Sequence, residues 1–427
     1  MRTIKVGLIG LGTVGGGVVN ILKKHRESFL RDQGVDIELV QVAGLDVEAA
    51  KELGVGDLFT SDGFEIINNP EIDIIVEVVG GTGIAKKFVY AALEAGKRVV
   101  TANKAVMATD FYDLLELSGS KGVEIAFETS VGGGIPIIGA LRNSLIGNRI
   151  ESVLGIVNGT TNYMLTQMAQ HGSDYATVLK EAQELGYAEA DPTADVGGGD
   201  AAAKIAILTT LAFNTEVVLS QVPTEGITKI TPLDMQNADE MGCVIKLLAI
   251  SNRTSEGIDM RVHPTLLKKD HALANVNGVF NAIFVVGDSV GETMFYGEGA
   301  GAGAAASAIV GDLIEVSQRI AYDITRPYIR FGTEQLPLKP IDDVTMSYYL
   351  RLPVPDRAGV VAATATAFAN HNVSIERMMQ SPVVDDSGTA ELIYVTHPTR
   401  EGDLKAVLAE IEASSILAGE PVLIRML

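Results

Sequence analysis

The sequence has 427 residues, 54 acidic and 33 basic side chains, a net charge of −21 and 47% apolar residues. That length exceeds one ordinary core and predicts two to four domains, while the negative balance argues against a nucleic-acid or anionic-membrane partner. Apolar runs stay short of the ~18 residues that a membrane helix needs, the single cysteine, Cys243, excludes an internal disulfide or Cys-rich zinc site, and six scattered histidines never fall at ligand spacing. Residues 1–7 pass straight into a β-like run without a signal-peptide pattern, so a cytoplasmic setting is expected.

In chain order, β-branched runs at 4–9, 37–43, 72–79, 98–102 and 123–127 alternate with helix-length amphipathic stretches. This α/β rhythm predicts a Rossmann-type, doubly wound parallel sheet over residues 1–136. The helix after the first run carries Val14, Val18, Ile21 and Leu22, a stripe that faces the sheet. From 137 to 298 the rhythm becomes that of an α+β substrate-binding and dimerisation domain. It has a strand at 152–157, two helices, a Gly-rich acidic loop, a helix at 201–213, and strands near 260–263, 279–286 and 292–296; the apolar run 241–248 around Cys243 reads as helical. Small residues from Gly299 onward predict a closely packed helix, ending near 322, that returns to the first domain. Residues 323–344, with Pro337, Pro340 and adjacent aspartates, read as a linker. The remainder, 345–427, follows the order βαββαβ, a ferredoxin-like layout able to fold by itself.

Gly10-Leu11-Gly12-Thr13-Val14-Gly15 follows the first strand and opens the first helix. Gly10 permits a tight turn, Gly12 lets the backbone approach a pyrophosphate, and Gly15 lets helix and strand pack closely, so a dinucleotide is expected at the helix N-terminus. Asp46, beyond the second strand, suits the ribose hydroxyls and leans to NAD over NADP; it suits equally well a cap on the helix that follows, and Lys51 can still meet a phosphate.

The stretch 185–200 holds Glu189, Asp191, Asp195 and Asp200, with Lys204 beyond it. Asp200 and Lys204 stand four apart at a helix start and share a face. Ile205, Ile207, Leu208 and Leu211 put that ammonium near a dry wall, where its pKa falls toward an acid/base range. A plain ion pair beside a calcium-like acidic loop accounts for the spacing as well. Glu128 to Pro136 forms a bend rich in carbonyls with one carboxylate, which is either a hard-cation site or a Gly-rich turn feeding a helix.

Together with Asn158-Gly159-Thr160-Thr161-Asn162-Tyr163, Thr101-Ala102-Asn103-Lys104 and Gly297-Glu298-Gly299-Ala300-Gly301, the acidic stretch resembles the homoserine dehydrogenase family. The family's acidic-Pro loop followed by Asp-x-x-Gly-x-Asp-x-x-x-Lys is met from Asp195 to Lys204. The resemblance implies reversible, NAD- or NADP-dependent reduction of aspartate 4-semialdehyde to homoserine, a step toward threonine, methionine and isoleucine. It implies Lys204 as proton donor to the substrate oxygen, Asp200 as the carboxylate orienting the substrate hydroxyl and that lysine, and Lys104 as a second active-site lysine. Glu189 and Asp195 would receive the substrate ammonium, and Gly159, Thr160 and Tyr187 would line the pocket. Gly10, Gly12, Thr13, Val14, Gly15, Asp46, Thr82, Lys104, Gly186, Gly299 and Gly301 would contact the cofactor. A structural sodium ion is implied at the Glu128 side chain and the carbonyls of Val131, Gly133 and Ile135. Ala304 and Ala305 stand where the family often has Pro-Thr.

Asp356-Arg357-Ala358-Gly359-Val360 and Asn372-Val373-Ser374-Ile375 resemble an ACT domain, with Ala358 replacing a usual Pro. A threonine effector and a homodimer or homotetramer are implied; an appendage that only dimerises is the alternative. Two other readings compete. A phosphorylating semialdehyde dehydrogenase needs a thiolate, for which only Cys243 is available, and a catalytically silent sensor would bind dinucleotide and amino acid without turnover.

Overall fold

Apolar β-branched segments separated by helix-forming stretches build a sheet first. In the structure, a computed structural model describing residues 2–324, 335–381 and 388–427, these are β1 (Thr3–Ile9), α1 (Thr13–Ser28), β2 (Asp36–Ala43), α2 (Val47–Glu52), β3 (Phe59–Thr60), α3 (Gly63–Asn68), β4 (Ile74–Glu77), α4 (Ile84–Glu94), β5 (Arg98–Thr101), α5 (Lys104–Lys121), β6 (Ile125–Ala126) and the short α6 (Ile137–Gly139). The strands pair in the order β3-β2-β1-β4-β5-β6, every pair parallel. This is the doubly wound order with its reversal beside β1, where the crevice outside the strand ends receives ligands.

The chain continues with β7 (Ile150–Ile156), α7 (Gly159–His171), α8 (Tyr175–Glu184), α9 (Thr193–Val196), α10 (Gly199–Phe213), α11 (Pro232–Glu240), β8 (Cys243–Thr254), β9 (Gly257–Lys268), β10 (Phe280–Gly287), β11 (Gly291–Glu298) and α12 (Ala302–Ala321). It ends with β12 (Thr345–Pro355), α13 (Val360–Asn370), β13 (Ile375–Ser381), β14 (Thr389–Thr396), β15 (Thr399–Arg400), α14 (Glu401–Ala413) and β16 (Val422–Met426). Residues 325–334 of the expected linker lie outside the described residues. No helix among the described residues is long and apolar enough to cross a membrane.

The chain divides into two compact units. The first comprises Met1–Val153, Ala203–Gln221 and Phe280–Gln335, and the second Leu154–Ala202, Val222–Val279 and Leu336–Leu427. In the first, Ile4, Val6 and Leu8 of β1 and Val18, Val19 and Leu22 of α1 share a core with Ile309, Val310, Leu313 and Val316 of α12. α12, built from the small-residue run, thus packs in the same core as β1 and α1. Its small residues permit the approach, because a Cβ on Gly17 of α1 would lie 2.8 Å from the Ala306 Cβ and 2.9 Å from the Ala302 carbonyl.

In the second unit the strands run β7-β8-β9-β16-β12-β14-β13. β8 and β9 form an antiparallel ladder from Cys243↔Lys268 to Thr254↔Gly257. The helix read from 241–248 is therefore a strand: a continuous apolar run has no period to distinguish the two states, and here β8 is buried over most of its length. β12, α13, β13, β14, α14 and β16 form the expected βαββαβ arrangement around Tyr348, Leu350, Phe368, Leu392, Tyr394, Leu404 and Val407. Its last strand does not form an edge, since β16 pairs in parallel with β9 through Arg425↔Thr265 and Met426↔Leu266.

Candidate active site

The glycine turn follows β1 directly. Gly10 has φ +108°, a value open to glycine, and its amide donates to the Ala43 carbonyl. A Cβ on Gly15 would lie 2.0 Å from the Gly10 carbonyl oxygen, whereas one on Gly12 would meet nothing within 4 Å. The three glycines thus divide as their spacing predicts: one turns the chain, one leaves open space, and one brings helix and strand together. Gly12 is the N-cap of α1 and offers no side-chain acceptor, so Thr13 and Val14 open the helix with amides directed at that space.

Asp46 caps α2, its Oδ1 accepting from the amides of Glu48 (2.9 Å) and Ala49 (3.2 Å), while Lys51 pairs with Glu48 at 2.7 Å. Thr82 lies in the exposed turn after β4 that Gly80 and Gly81 form with positive φ. Asn103 locks the start of α5, its side chain accepting from the Val106 amide and donating to the Gly81 carbonyl at 2.8 Å. Lys104 is thereby presented, exposed, as the first residue of that helix. Gly301, φ +117°, is the N-cap of α12. Gly299 packs on the Asn281 side chain so closely that a Cβ there would lie 1.9 Å from Nδ2.

The bend after β6 is tied by Glu128, whose Oε1 and Oε2 accept from the amides of Ile138 (2.7 Å) and Gly139 (2.6 Å). Burial raises the pKa of this carboxyl against the opposing effect of those amides. Each oxygen keeps a further lone pair. Gly132 and Gly133 turn with φ +74° and +56°, and the Ile135 carbonyl already accepts from the Ile137 amide at 2.9 Å. Among the described residues no group of three or more His, Cys, Asp or Glu side chains could hold a metal ion.

In the second unit the acidic stretch closes on the start of α7. Asn158 is the N-cap of that helix, its Oδ1 accepting from the Thr161 amide at 2.8 Å. Its Nδ2 donates to Asp195 Oδ1 at 2.7 Å and to Asp200 Oδ2 at 2.8 Å. One amide group therefore holds two carboxylates side by side. Gly159 is the first residue of α7, and Thr160 Oγ1 donates to the Tyr187 carbonyl at 2.6 Å. The Tyr187 ring, partly exposed, lies 5.0 Å from that of Tyr163.

Lys246 braces the other side of α7. Its buried Nζ donates to Asn162 Oδ1 and to the Val276 carbonyl at 3.1 and 2.6 Å, and burial draws its pKa down to about 8. Asp200 and Lys204, only 6% and 7% exposed, stand one turn apart on α10. Glu189 and Gly186 are exposed on the loop before Asp191, whose side chain accepts from the Thr193 amide.

The structure thus gathers Asn158, Gly159, Thr160, Tyr187, Asp195 and Asp200 by direct bonds or chain adjacency, and sets Glu189 on the same loop without a side-chain bond to them. Asn158 opens the Asn-Gly-Thr-Thr motif, whose pattern by itself assigns it no catalytic role. An Asn before Gly-Thr-Thr announces a helix cap, and only the closed fold shows that the other end of its amide organises two acids.

Comparison with known proteins agrees along the whole chain. The family model described as homoserine dehydrogenase matches residues 136–314, that of the homoserine dehydrogenase NAD-binding domain residues 10–128, and that of the ACT domain residues 348–415. Homoserine dehydrogenase from Neisseria gonorrhoeae is 43% identical, covering 100% of this chain and 99% of its own. The enzyme from Synechocystis is 44% identical over the full length of both chains. The crystal structure of a homoserine dehydrogenase from Thiobacillus denitrificans superposes with a TM-score of 0.94 at 42% identity, covering 100% of this chain and 99% of that one. An NAD(P)-binding domain, a catalytic domain and a C-terminal ACT domain in this order make the chain an oxidoreductase, and it belongs to the homoserine dehydrogenase family.

Proposed function

We propose that this chain interconverts aspartate 4-semialdehyde and homoserine with the acidic group at the start of α7 as its amino-acid site and Lys204 as its acid/base. The observation that carries this reading is the Asn158 amide holding Asp195 and Asp200 together, with Lys204 one turn beyond on the same helix. Asp195, partly exposed, and Glu189, on the loop, offer negative charge to a substrate ammonium. Asp200 is buried against Asn158 and orients the hydroxyl. Lys204 hands a proton to the oxygen during reduction and takes it back during oxidation.

Gly10, Gly12, Thr13, Val14 and Gly15 would hold the pyrophosphate, with Asp46, Thr82, Lys104, Gly186, Gly299 and Gly301 completing the dinucleotide contacts. The open space at Gly12 and the tight packing at Gly15 fit such a ligand. When bound, the nicotinamide supplies or accepts the hydride. The second oxygen of Asp46 retains capacity for a ribose hydroxyl, which supports NAD. A sodium ion at Glu128, Val131, Gly133 and Ile135 is supported by a donor set of neutral carbonyls with one carboxylate. Threonine as the effector of the ACT domain, a homodimer or homotetramer, and residence in the cytoplasm, where the free and buried Cys243 stays reduced, complete the proposal.

Steady-state homoserine oxidation by wild type and Lys204→Met, with NAD and with NADP and with and without threonine, tests it. The variant is expected to lose about 10²–10⁴-fold in kcat with the KM for dinucleotide unchanged. A variant that keeps wild-type turnover removes Lys204 from the mechanism.

A further inference from the structure

Arg425 is 1% exposed on β16, yet its guanidinium serves two carboxylates at once. Nε and Nη2 donate to Glu401 at 2.8 and 2.6 Å, and Nη1 and Nη2 donate to Glu225 at 2.8 and 2.7 Å. Glu401 opens α14 of the ACT domain and is fully buried. Glu225 lies in the loop before α11, outside that domain, with its side chain 51% exposed. A double fork of this kind fixes position and angle as well as charge, because both planes must align.

What Glu225 fastens is the floor under the acidic site. Its amide donates to the Val262 carbonyl of β9 at 2.8 Å, and the Ile227 amide donates to the Val196 carbonyl at 2.9 Å. Gly226 between them touches the same segment: a Cβ there would come within 2.0 Å of the Val196 oxygen and 2.6 Å of the Gly197 Cα. A Cβ on Gly198 would likewise meet Thr224 at 2.9 Å. Val196, Gly197 and Gly198 are three of the four residues that separate Asp195 from Asp200. Close backbone packing therefore runs from the Glu225 loop to the segment that lies between the two carboxylates.

We propose that Arg425 is a positioning residue for the segment carrying Asp195 and Asp200, acting through Glu225, so that the ACT domain governs how tightly the substrate ammonium is held. This deepens the function proposed above and rests on the amino-acid site assigned there. The link runs through groups with a defined geometry at each joint: Glu401 to Arg425, Arg425 to Glu225, and the 224–227 backbone to 196–198. A shift of α14 relative to β16 changes the first joint and is handed to the site by the rest.

The test compares Glu225→Gln, Arg425→Lys and the double variant in steady-state homoserine oxidation, with KM measured separately for homoserine and dinucleotide. Glu225 is half exposed, so its isosteric substitution leaves the fold intact, and it carries the test alone if Arg425→Lys is unstable. Expected is a roughly 2- to 30-fold rise in the KM for homoserine with the KM for dinucleotide unchanged. The double variant should rise no further than the larger single one, because both break the same link. Unchanged homoserine KM in Glu225→Gln, a parallel rise for both substrates, or additive effects would overturn the proposal. Wild type lacking any homoserine-dependent dinucleotide reduction would overturn the assigned function and this inference with it; active wild type with an unaltered Glu225→Gln overturns the inference alone.

Discussion

Replacing Asn158 by Asp changes one atom group and tests the logic of the acidic site. The cap on α7 survives, because Oδ1 still accepts from the Thr161 amide. The donor that joins Asp195 and Asp200, however, becomes an acceptor less than 3 Å from both. Each lost hydrogen bond to a carboxylate is worth about 1.5–3 kcal/mol. A like charge at that separation adds up to about 6 kcal/mol per pair at an effective dielectric constant of 20. Three carboxylates under that repulsion retain a proton, so the pKa of the group rises in the folded variant. The sign follows: the folded variant then holds more protons than the unfolded chain at mid-pH, so its stability is highest at acid pH and falls as pH rises toward the raised pKa.

Measured as kcat/KM for homoserine between pH 6 and 9, the variant should lose roughly 10²–10³-fold at pH 9, and less toward pH 6, where the retained proton restores the bridge. Asn158→Ala loses the cap, about 1 kcal/mol, and both bonds, but adds no charge, so its deficit should not vary with pH. An Asn158→Asp profile running parallel to wild type at similar efficiency would refute the bridging role.

Three further outcomes are expected. Gly15→Ala puts a methyl 2.0 Å from the Gly10 oxygen, so dinucleotide affinity by titration calorimetry should fall at least about tenfold, while a Gly12→Ala control suffers no such clash. Arg351→Met strands the fully buried Asp234, which accepts from Arg351 Nε at 2.7 Å, and should cost about 3–5 kcal/mol in denaturant unfolding. For Lys246, whose folded pKa lies near 8 against 10.5, the unfolded chain binds more protons between those values. Wild-type stability should therefore rise by about 3 kcal/mol across that interval relative to Lys246→Met.

Much of this could be read from the residues because local rules and the closed structure agree. The parallel sheet follows from β-branched runs spaced by helices, the dinucleotide turn from three glycines with distinct duties, and the return of α12 from a run of small residues that lets Gly17 approach Ala302 and Ala306. The failures have one cause. Residues 245–251 are buried on both faces, so β8 shows no alternation, and its Lys246 looks like the polar side of a helix although it is buried against carbonyls. The middle strand expected at 260–263 extends over 257–268 because Asp259, Arg261 and His263, which read as surface residues, lie inside. Asn158 meets its carboxylates 37 and 42 positions away. No local pattern encodes such meetings; they exist only once the chain has closed.

That cause also explains why an acidic protein buries its cations where it does. β16 joins β9 through only two residue pairs, and so short a ladder specifies its register weakly. A slip of one residue would turn Arg425 to the opposite face, away from Glu401 and Glu225, and leave the buried Glu401 with Lys405 as its counter-charge but without the guanidinium fork, a substantial destabilisation. Arg351, on the neighbouring β12, adds a second restraint by reaching Asp234 at the start of α11. Apolar side chains of similar size would hold these surfaces together as strongly, but they tolerate sliding, whereas a forked guanidinium between fixed carboxylates does not. The buried ion pairs therefore set the alignment of the ACT domain on the catalytic sheet more than they set its stability, and alignment is what a regulatory domain must transmit.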